Sequence, residues 1–200
     1  FYINTLLPVG PALAGRIMGK HIVYHYHENA FAKGAFYKAL ATAMQKLAHE
    51  IICVSEYQAS FLKREKGVIV APNSLSNNFT NRLIPTPQTA FERKQILMLG
   101  SLKLYKSPLE FIELAQKLPQ FTFELVVNDT QENINGFMKE HKINICKNLT
   151  IYPQQNDVVP FYNQASLVLN LSDKKQVVET FGLTALEAMS AGLPVIVPTE

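Results

Sequence analysis

The sequence predicts an α/β protein made of two pieces, each with a parallel sheet. Three observations carry that expectation. Short β-branched runs stand at 22–24, 51–54, 68–71, 96–99, 121–127, 149–151, 166–171 and 195–197. Segments with helical spacing or helix start signals fall between them, which is the rhythm of strands joined by crossovers. Most of the runs are too apolar to keep a wet face, as strands covered on both sides are.

In chain order, the opening Phe1-Tyr-Ile-Asn-Thr-Leu-Leu-Pro-Val-Gly10 has no initiator Met, no basic n-region and two breakers. It reads as the inside of a longer protein rather than as a signal peptide. The strand begun by Ile22 runs on into His25-Tyr-His27-Glu28, where alternation puts His25 and His27 on one face and Tyr24 and Tyr26 on the other. Phe36, Leu40, Met44 and Leu47 recur at helical spacing and give 34–49 one core-facing stripe. Ser55-Glu-Tyr-Gln58 is a capping box, and Ser107-Pro-Leu-Glu110 is a second, stronger one because Pro108 falls where a helix needs no N–H. Between them, Pro72, Asn73, Asn77, Asn78, Asn81, Pro85 and Pro87 crowd a stretch without periodicity. The expected organisation is therefore a first α/β piece over 1–75, a linker over 76–92 and a second α/β piece over 93–200. Gly192 and Pro194 close a helix predicted over 182–191. The chain stops at Glu200, directly after an expected core strand, so truncation at both ends is expected.

Composition excludes several classes. With 48% hydrophobic and 18% charged residues over 200 positions, the chain is an ordinary globular one. Its 19 Lys+Arg against 16 Asp+Glu leave +3, and the basic residues are scattered as pairs, so nucleic acid is not the expected partner. Cys53 and Cys146 stand far apart, without metal-ligand or disulfide-framework spacing, and fit a reducing, cytoplasmic compartment. No metal site is expected. No apolar run has the length of a membrane span. The stretch from Phe31 to Lys38 fits either peripheral contact with the inner face of a membrane or an ordinary amphipathic helix start. G-x-G-x-x-G, G-x(4)-G-K-[ST] and G-x-S-x-G are all missing, which disfavours nicotinamide dehydrogenases, P-loop NTPases and α/β-hydrolases. Asn78, Asn148 and Asn170 meet the N-glycosylation pattern by chance.

The most informative stretch is Glu179-Thr-Phe-Gly-Leu-Thr-Ala-Leu-Glu187-Ala-Met-Ser-Ala-Gly192-Leu-Pro194. The helix it predicts opens at the carboxyl ends of parallel strands, where ligands of such sheets sit. Its first amides carry unpaired N–H groups and partial positive charge suited to a phosphate or a sugar oxygen. Glu179 lies before this helix and Glu187 inside it. Read from spacing alone, the two acids either hold hydroxyls at opposite ends of one ligand or, as is the commoner case, Glu179 complements the helix dipole and Glu187 is a solvated or ion-paired helix residue.

With Phe181-Gly182 between them and Glu-Ala-Met-Ser-Ala-Gly-Leu-Pro-Val-Ile196 following, the two acids resemble the E-x(7)-E signature of the retaining nucleotide-sugar glycosyltransferases of group 1 (family four), which have the GT-B fold of two Rossmann-like domains. Cys53-Val-Ser55-Glu56, Val70-Ala-Pro-Asn73 and Leu99-Gly-Ser-Leu102 through Lys106 are similar, in the same order, to the family's interdomain Ser turn, crossover and diphosphate loop. The resemblance implies an acceptor-side domain over 1–75 and an incomplete donor-side domain over 93–200. It implies transfer of a hexose from a nucleoside diphosphate sugar, the co-substrate, to a saccharide or lipid-linked acceptor in polysaccharide or cell-envelope biosynthesis, with no cofactor. A 200-residue piece alone is expected to be inactive.

Residue by residue, the resemblance has Glu179 bind the donor sugar's hydroxyls, Glu187 bind the ribose, and the amides of Thr180, Phe181, Gly182 and Leu183 meet sugar and phosphate. Lys106 neutralises the diphosphate as it leaves. Where the family carries Arg after the glycine, this chain has Ser101, with Lys103 the nearest cation, and Asn128-Asp129 stand where the family has glycines. Base recognition falls near Gln154. His27 is either a structural strand-end histidine or, as in the family, a catalytic residue facing the reacting sugar. Glu28 beside it orients it or touches the acceptor. A nucleotide-sugar 2-epimerase on the same fold, a non-catalytic sugar-nucleotide-binding subunit and a glycoside hydrolase are the competing readings.

Overall fold

The computed structural model describes residues 1–28, 30, 34–84, 88–176 and 181–198. It divides into two compact units, Phe1–Ser74 with Val178–Gly182, and Leu75–Val177 with Leu183–Glu200.

The first unit runs β1 (Tyr2–Ile3), α1 (Val9–Ile17), β2 (Val23–Tyr26), α2 (Ala35–Leu47), β3 (Glu50–Cys53), α3 (Glu56–Ala59) and β4 (Val68–Val70). Its strands are all parallel, in the order β1-β2-β3-β4. Tyr24 and Tyr26 point into a core with Ile3, Leu6, Met44, Ile51 and Cys53, leaving His25 half-buried on the opposite face, as the alternation requires. Burial pushes the Cys53 thiol up to about 11, and both cysteines are free.

Two local expectations are corrected here. Phe36 is 68% exposed, because α2 lies on the sheet through Tyr37, Leu40, Ala41, Met44 and Leu47, a row that turns Phe36 outward. In the turn before α3, the Ser55 hydroxyl accepts from the Gln58 N–H at 3.1 Å, but the Gln58 amide does not close the box on Ser55. Its oxygen accepts instead from the Val54 N–H at 3.0 Å, and its nitrogen donates to the Glu28 carbonyl at 3.2 Å. A fully buried glutamine thereby ties the ends of β2 and β3 together.

The second unit begins at Leu75, just ahead of the stretch read as a linker. Ser76 caps α4 (Asn77–Thr80), accepting from the Phe79 N–H at 3.2 Å, and a 3-10 turn covers Gln88–Arg93. There follow β5 (Gln95–Gly100), a 3-10 turn at Leu104–Lys106, α5 (Pro108–Lys117), β6 (Thr122–Val127), α6 (Gln131–Glu140), β7 (Leu149–Tyr152), α7 (Val159–Gln164), β8 (Leu167–Leu169), α8 (Leu183–Ser190) and β9 (Val195–Ile196). The parallel sheet has the order β7-β6-β5-β8-β9. Both faces are covered. Ile96 and Met98 of β5 join a core with Phe111, Phe123 and Leu125, whereas Leu97 joins one with Val126, Tyr162, Val168 and Ala188. That explains the continuous apolar runs in the sequence.

The second capping box is also corrected. Ser107 stands at the N-cap of α5 with φ 57° and ψ 44°, and its side chain makes no cap bond. The left-handed residue is what lets the chain pass from the 3-10 turn straight into a helix beginning at Pro108. At the far end, Gly192 (φ 73°) closes α8 by a paired motif, its N–H bonding the Met189 carbonyl at 3.0 Å and the Leu193 N–H the Ala188 carbonyl at 3.0 Å. Among the described residues, no helix is long and apolar enough to cross a membrane, and no group of three His, Cys, Asp or Glu could hold a metal. The side chain of Asn148, one of the sequon asparagines, donates to the Ala115 and Phe121 carbonyls at 2.9 Å each.

Candidate functional site

In the second unit the chain leaves β5 outward to β6 and β7, then returns to the other side of β5 with β8 and β9. The reversal puts a switch point between β5 and β8, and the carboxyl edge of an α/β sheet opens there into a crevice. Because every strand is parallel, the segments after β5, β6, β7 and β8 share that edge. They bring Ser101, Lys103 and Lys106, then Asn128-Asp129, then Gln154, then Asn170 to Asp173.

The segments after β5 and β8 are fastened to each other. Half-buried Lys106 donates from Nζ to the Ser172 Oγ at 3.2 Å, and the Ser172 hydroxyl donates to Asn170 Oδ1 at 2.7 Å. The Ser172 N–H reaches the same oxygen at 3.1 Å, and the Asp173 N–H bonds the Tyr105 carbonyl at 2.7 Å. The ammonium groups of Lys103 and Lys106 lie 5.8 and 5.9 Å from the centre of the Tyr105 ring. Two cations thus attend one aromatic ring, an arrangement that favours an anion beside it. Lys103 is exposed and Ser101 half-buried. After β6, the Asn128 N–H bonds the Gly100 carbonyl at 2.9 Å, and the Gln154 N–H bonds the Asp129 carbonyl at 2.8 Å, leaving the Gln154 side chain exposed.

Of the predicted E-x(7)-E residues, Glu179 and Thr180 lie outside the described residues. Phe181 and Gly182 are half-buried, Gly182 has φ 29°, and Leu183, exposed, is the first residue of α8. Glu187 sits in the second turn of α8. Among the described residues no cation pairs with it. It is half-buried, and the hydroxyl of fully buried Tyr162 donates to its Oε2 at 2.6 Å. Burial pushes the Glu187 carboxyl up, while the Tyr162 bond pulls it the other way. Burial, reinforced by the neighbouring carboxylate, also raises the Tyr162 phenol well above its ordinary value. Tyr162 and Ser172 were not singled out from sequence, because neither stands in a charged or glycine-bearing motif.

The first unit holds a separate polar cluster where β1 and β2 end. The Glu28 Oε1 accepts from the Thr5 hydroxyl and, at 2.9 Å, from the Leu6 N–H, and its Oε2 accepts from the His27 N–H at 3.3 Å. Burial alone would push this carboxyl up, but these hydrogen bonds outweigh it and hold the group below its ordinary value. His27 Nε2 is bonded to Asn4 Oδ1 at 2.9 Å, and the His27 ring lies 4.0 Å from that of His25. His25 bonds the Tyr2 hydroxyl through Nδ1 at 2.6 Å, and burial, aided by His27, lowers its pKa. Glu28 thus meets the His27 backbone, and Asn4 its ring. Asn4 and Thr5 escaped the sequence reading because the two-residue strand before them is too short to leave a periodic signal.

A hollow of about 610 Å³ in the second unit lies at the opposite edge of the sheet, around Gln95 at the start of β5. Its guanidinium groups are committed, Arg82 to Asp157 and Arg93 to the Asn163 and Gln164 carbonyls. Ligands of open parallel sheets bind at the other, carboxyl edge.

Two parallel-sheet α/β units, the second with this switch-point edge, make up the GT-B architecture. Residues 81–198, more than half of the chain, match the sequence profile described as glycosyl transferases group 1, and the chain belongs to that family. No curated protein matches it. Among solved structures it is similar to Anabaena HepE, determined in complex with UDP and glucose, with a TM-score of 0.76 at 20% identity over 98% of this chain and 58% of that one. It is similar to sucrose-phosphate synthase from Thermosynechococcus elongatus at 0.73 and 17%, over 98% and 55%. It is also similar to UDP-GlcNAc 2-epimerase from Neisseria meningitidis, bound to UDP-GlcNAc, at 0.58 and 17%, over 98% and 57%. At these identities the likeness is one of fold, and the chain spans little more than half the length of each structure.

Proposed function

We propose that the chain serves a retaining glycosyltransferase that moves a hexose from a nucleoside diphosphate sugar to a saccharide or lipid-linked acceptor in polysaccharide or cell-envelope biosynthesis. The observation that carries this reading is the Lys106–Ser172 bond across the β5/β8 switch point, which fixes a cation where a diphosphate would lie. In this account the second unit is the donor side. Lys106, with Lys103 substituting for the missing arginine beside Ser101, takes the diphosphate. The amides from Thr180 to Leu183 receive phosphate and sugar oxygens, Glu179 holds the sugar hydroxyls, Glu187 the ribose, and Gln154 lies toward the base. The first unit is the acceptor side, with His27 as its catalytic residue.

The chemistry needs no cofactor. The bond from the sugar C1 to the diphosphate oxygen breaks and its electron pair leaves with the nucleoside diphosphate. The acceptor hydroxyl attacks from the same face, and its proton passes to the departing phosphate oxygen. A preorganised ammonium lowers the barrier by meeting the charge that develops on the leaving group.

A thermal-shift panel of UDP, GDP, ADP and their sugars on the full-length protein tests the reading, repeated with Glu187→Ala. Stabilisation by one nucleotide, lost in the variant, is expected. No stabilisation by any of them would overturn it. The likeness to the 2-epimerase supports a second reading on the same site. Inversion at the sugar C2 without any acceptor would decide for that one.

A further inference from the structure

Tyr162 has no exposed surface, and its ring stands edge-on to Phe79 at 5.7 Å and 82°. A phenol so placed needs a hydrogen-bond partner. It finds one at the Glu187 Oε2, 2.6 Å away. The hydroxyl has a single proton to donate, so the bond engages one carboxylate oxygen and leaves Oε1 as an acceptor. A glutamate on a helix surface otherwise samples several rotamers, and a ligand that gathers them loses affinity to that ordering. Tyr162 is the titratable group that meets this carboxylate from α7, and among the described residues no cation pairs with it.

We propose that Tyr162 is a positioning residue of the donor site, holding Glu187 in one rotamer with Oε1 left to accept from a hydroxyl of the nucleotide's ribose. Phe79 in turn fixes the phenol ring, so the helical turn at 77–80 supports the same carboxylate at one remove. The proposal rests on Glu187 being the ribose ligand.

The test compares Tyr162→Phe and Glu187→Gln with the wild-type full-length protein by calorimetric titration of UDP, GDP, ADP and inorganic pyrophosphate between pH 6 and pH 8. Tyr162→Phe keeps the ring and its packing and removes one oxygen. For the tightest-binding nucleoside diphosphate, affinity should fall about five- to tenfold, the cost of ordering one freed side chain. The loss should grow toward pH 6, because burial then raises the Glu187 carboxyl unopposed and it protonates sooner. Pyrophosphate, which has no ribose, should bind both proteins alike. A Glu187→Gln protein that binds nucleotide as the wild type does would overturn the ribose reading itself. Weakened binding by Glu187→Gln beside an unchanged pH profile in Tyr162→Phe would overturn the positioning role alone, as would an equal loss for pyrophosphate.

Discussion

Replacing Ser172 by alanine separates the stability of the switch-point edge from its chemistry. The side chain is 5% exposed, and its hydroxyl both accepts from Lys106 at 3.2 Å and donates to Asn170 at 2.7 Å. A hydrogen bond to a charged group contributes about 1.5 to 3 kcal/mol. Lys106 is only half-buried and the bond is at the long end of the range, so solvent screening brings its share to about 1 kcal/mol. The Asn170 oxygen keeps the Ser172 backbone N–H and is not orphaned, which limits that second cost to about 0.5 to 1 kcal/mol. The sum, about 1.5 to 2 kcal/mol, should appear as a lower urea midpoint at unchanged slope. Diphosphate affinity should fall by up to about fivefold, because Lys106 loses the Ser172 oxygen that helps to aim it. Titration of UDP, GDP and ADP against Ser172→Ala and the wild type measures this. A variant that loses the stability but binds every diphosphate like the wild type would refute the idea that Ser172 aims Lys106.

Phe111→Ala should cost about 3 to 5 kcal/mol in urea unfolding, since Phe111 is fully buried against Phe123 with ring centres 5.3 Å apart. Glu28→Gln should flatten the acid limb of stability. The Glu28 carboxyl is held below its ordinary value in the folded protein, so its contribution is present above the unfolded value of about 4.3 and is lost as pH falls through the folded one. Unfolding free energy measured from pH 3 to pH 7 should show that loss in the wild type and much less of it in the variant.

Strands long enough to cross a sheet and covered on both faces, such as 96–99 and 121–127, declared themselves as apolar runs, and the closing helix did so through Gly192 and Pro194. The first strand did not, since two residues carry no period, and with it went Asn4 and Thr5, which meet His27 and Glu28. Phe36 misled because the same spacing fits a helix rotated by one residue, and only packing on the sheet chooses Tyr37. The site was legible where it rests on charge, at Lys106 and Glu187, and hidden where it rests on neutral groups reached through the fold. Ser172 and Tyr162 approach those charges from other elements, 66 and 25 residues away in sequence. The segment 76–83 looked like a linker because its helical turn is four residues long, although Phe79 and Leu83 pack against the core around Tyr162.

The central claim is that the carboxyl edge between β5 and β8 receives a nucleoside diphosphate. Amide hydrogen exchange of the full-length protein with and without saturating UDP, GDP or ADP tests it most directly. Slowed exchange at 101–107, 170–173 and 183–187 is the predicted result. Protection confined to 82–95 and 159–164, around the hollow at the other edge of the sheet, would contradict the account.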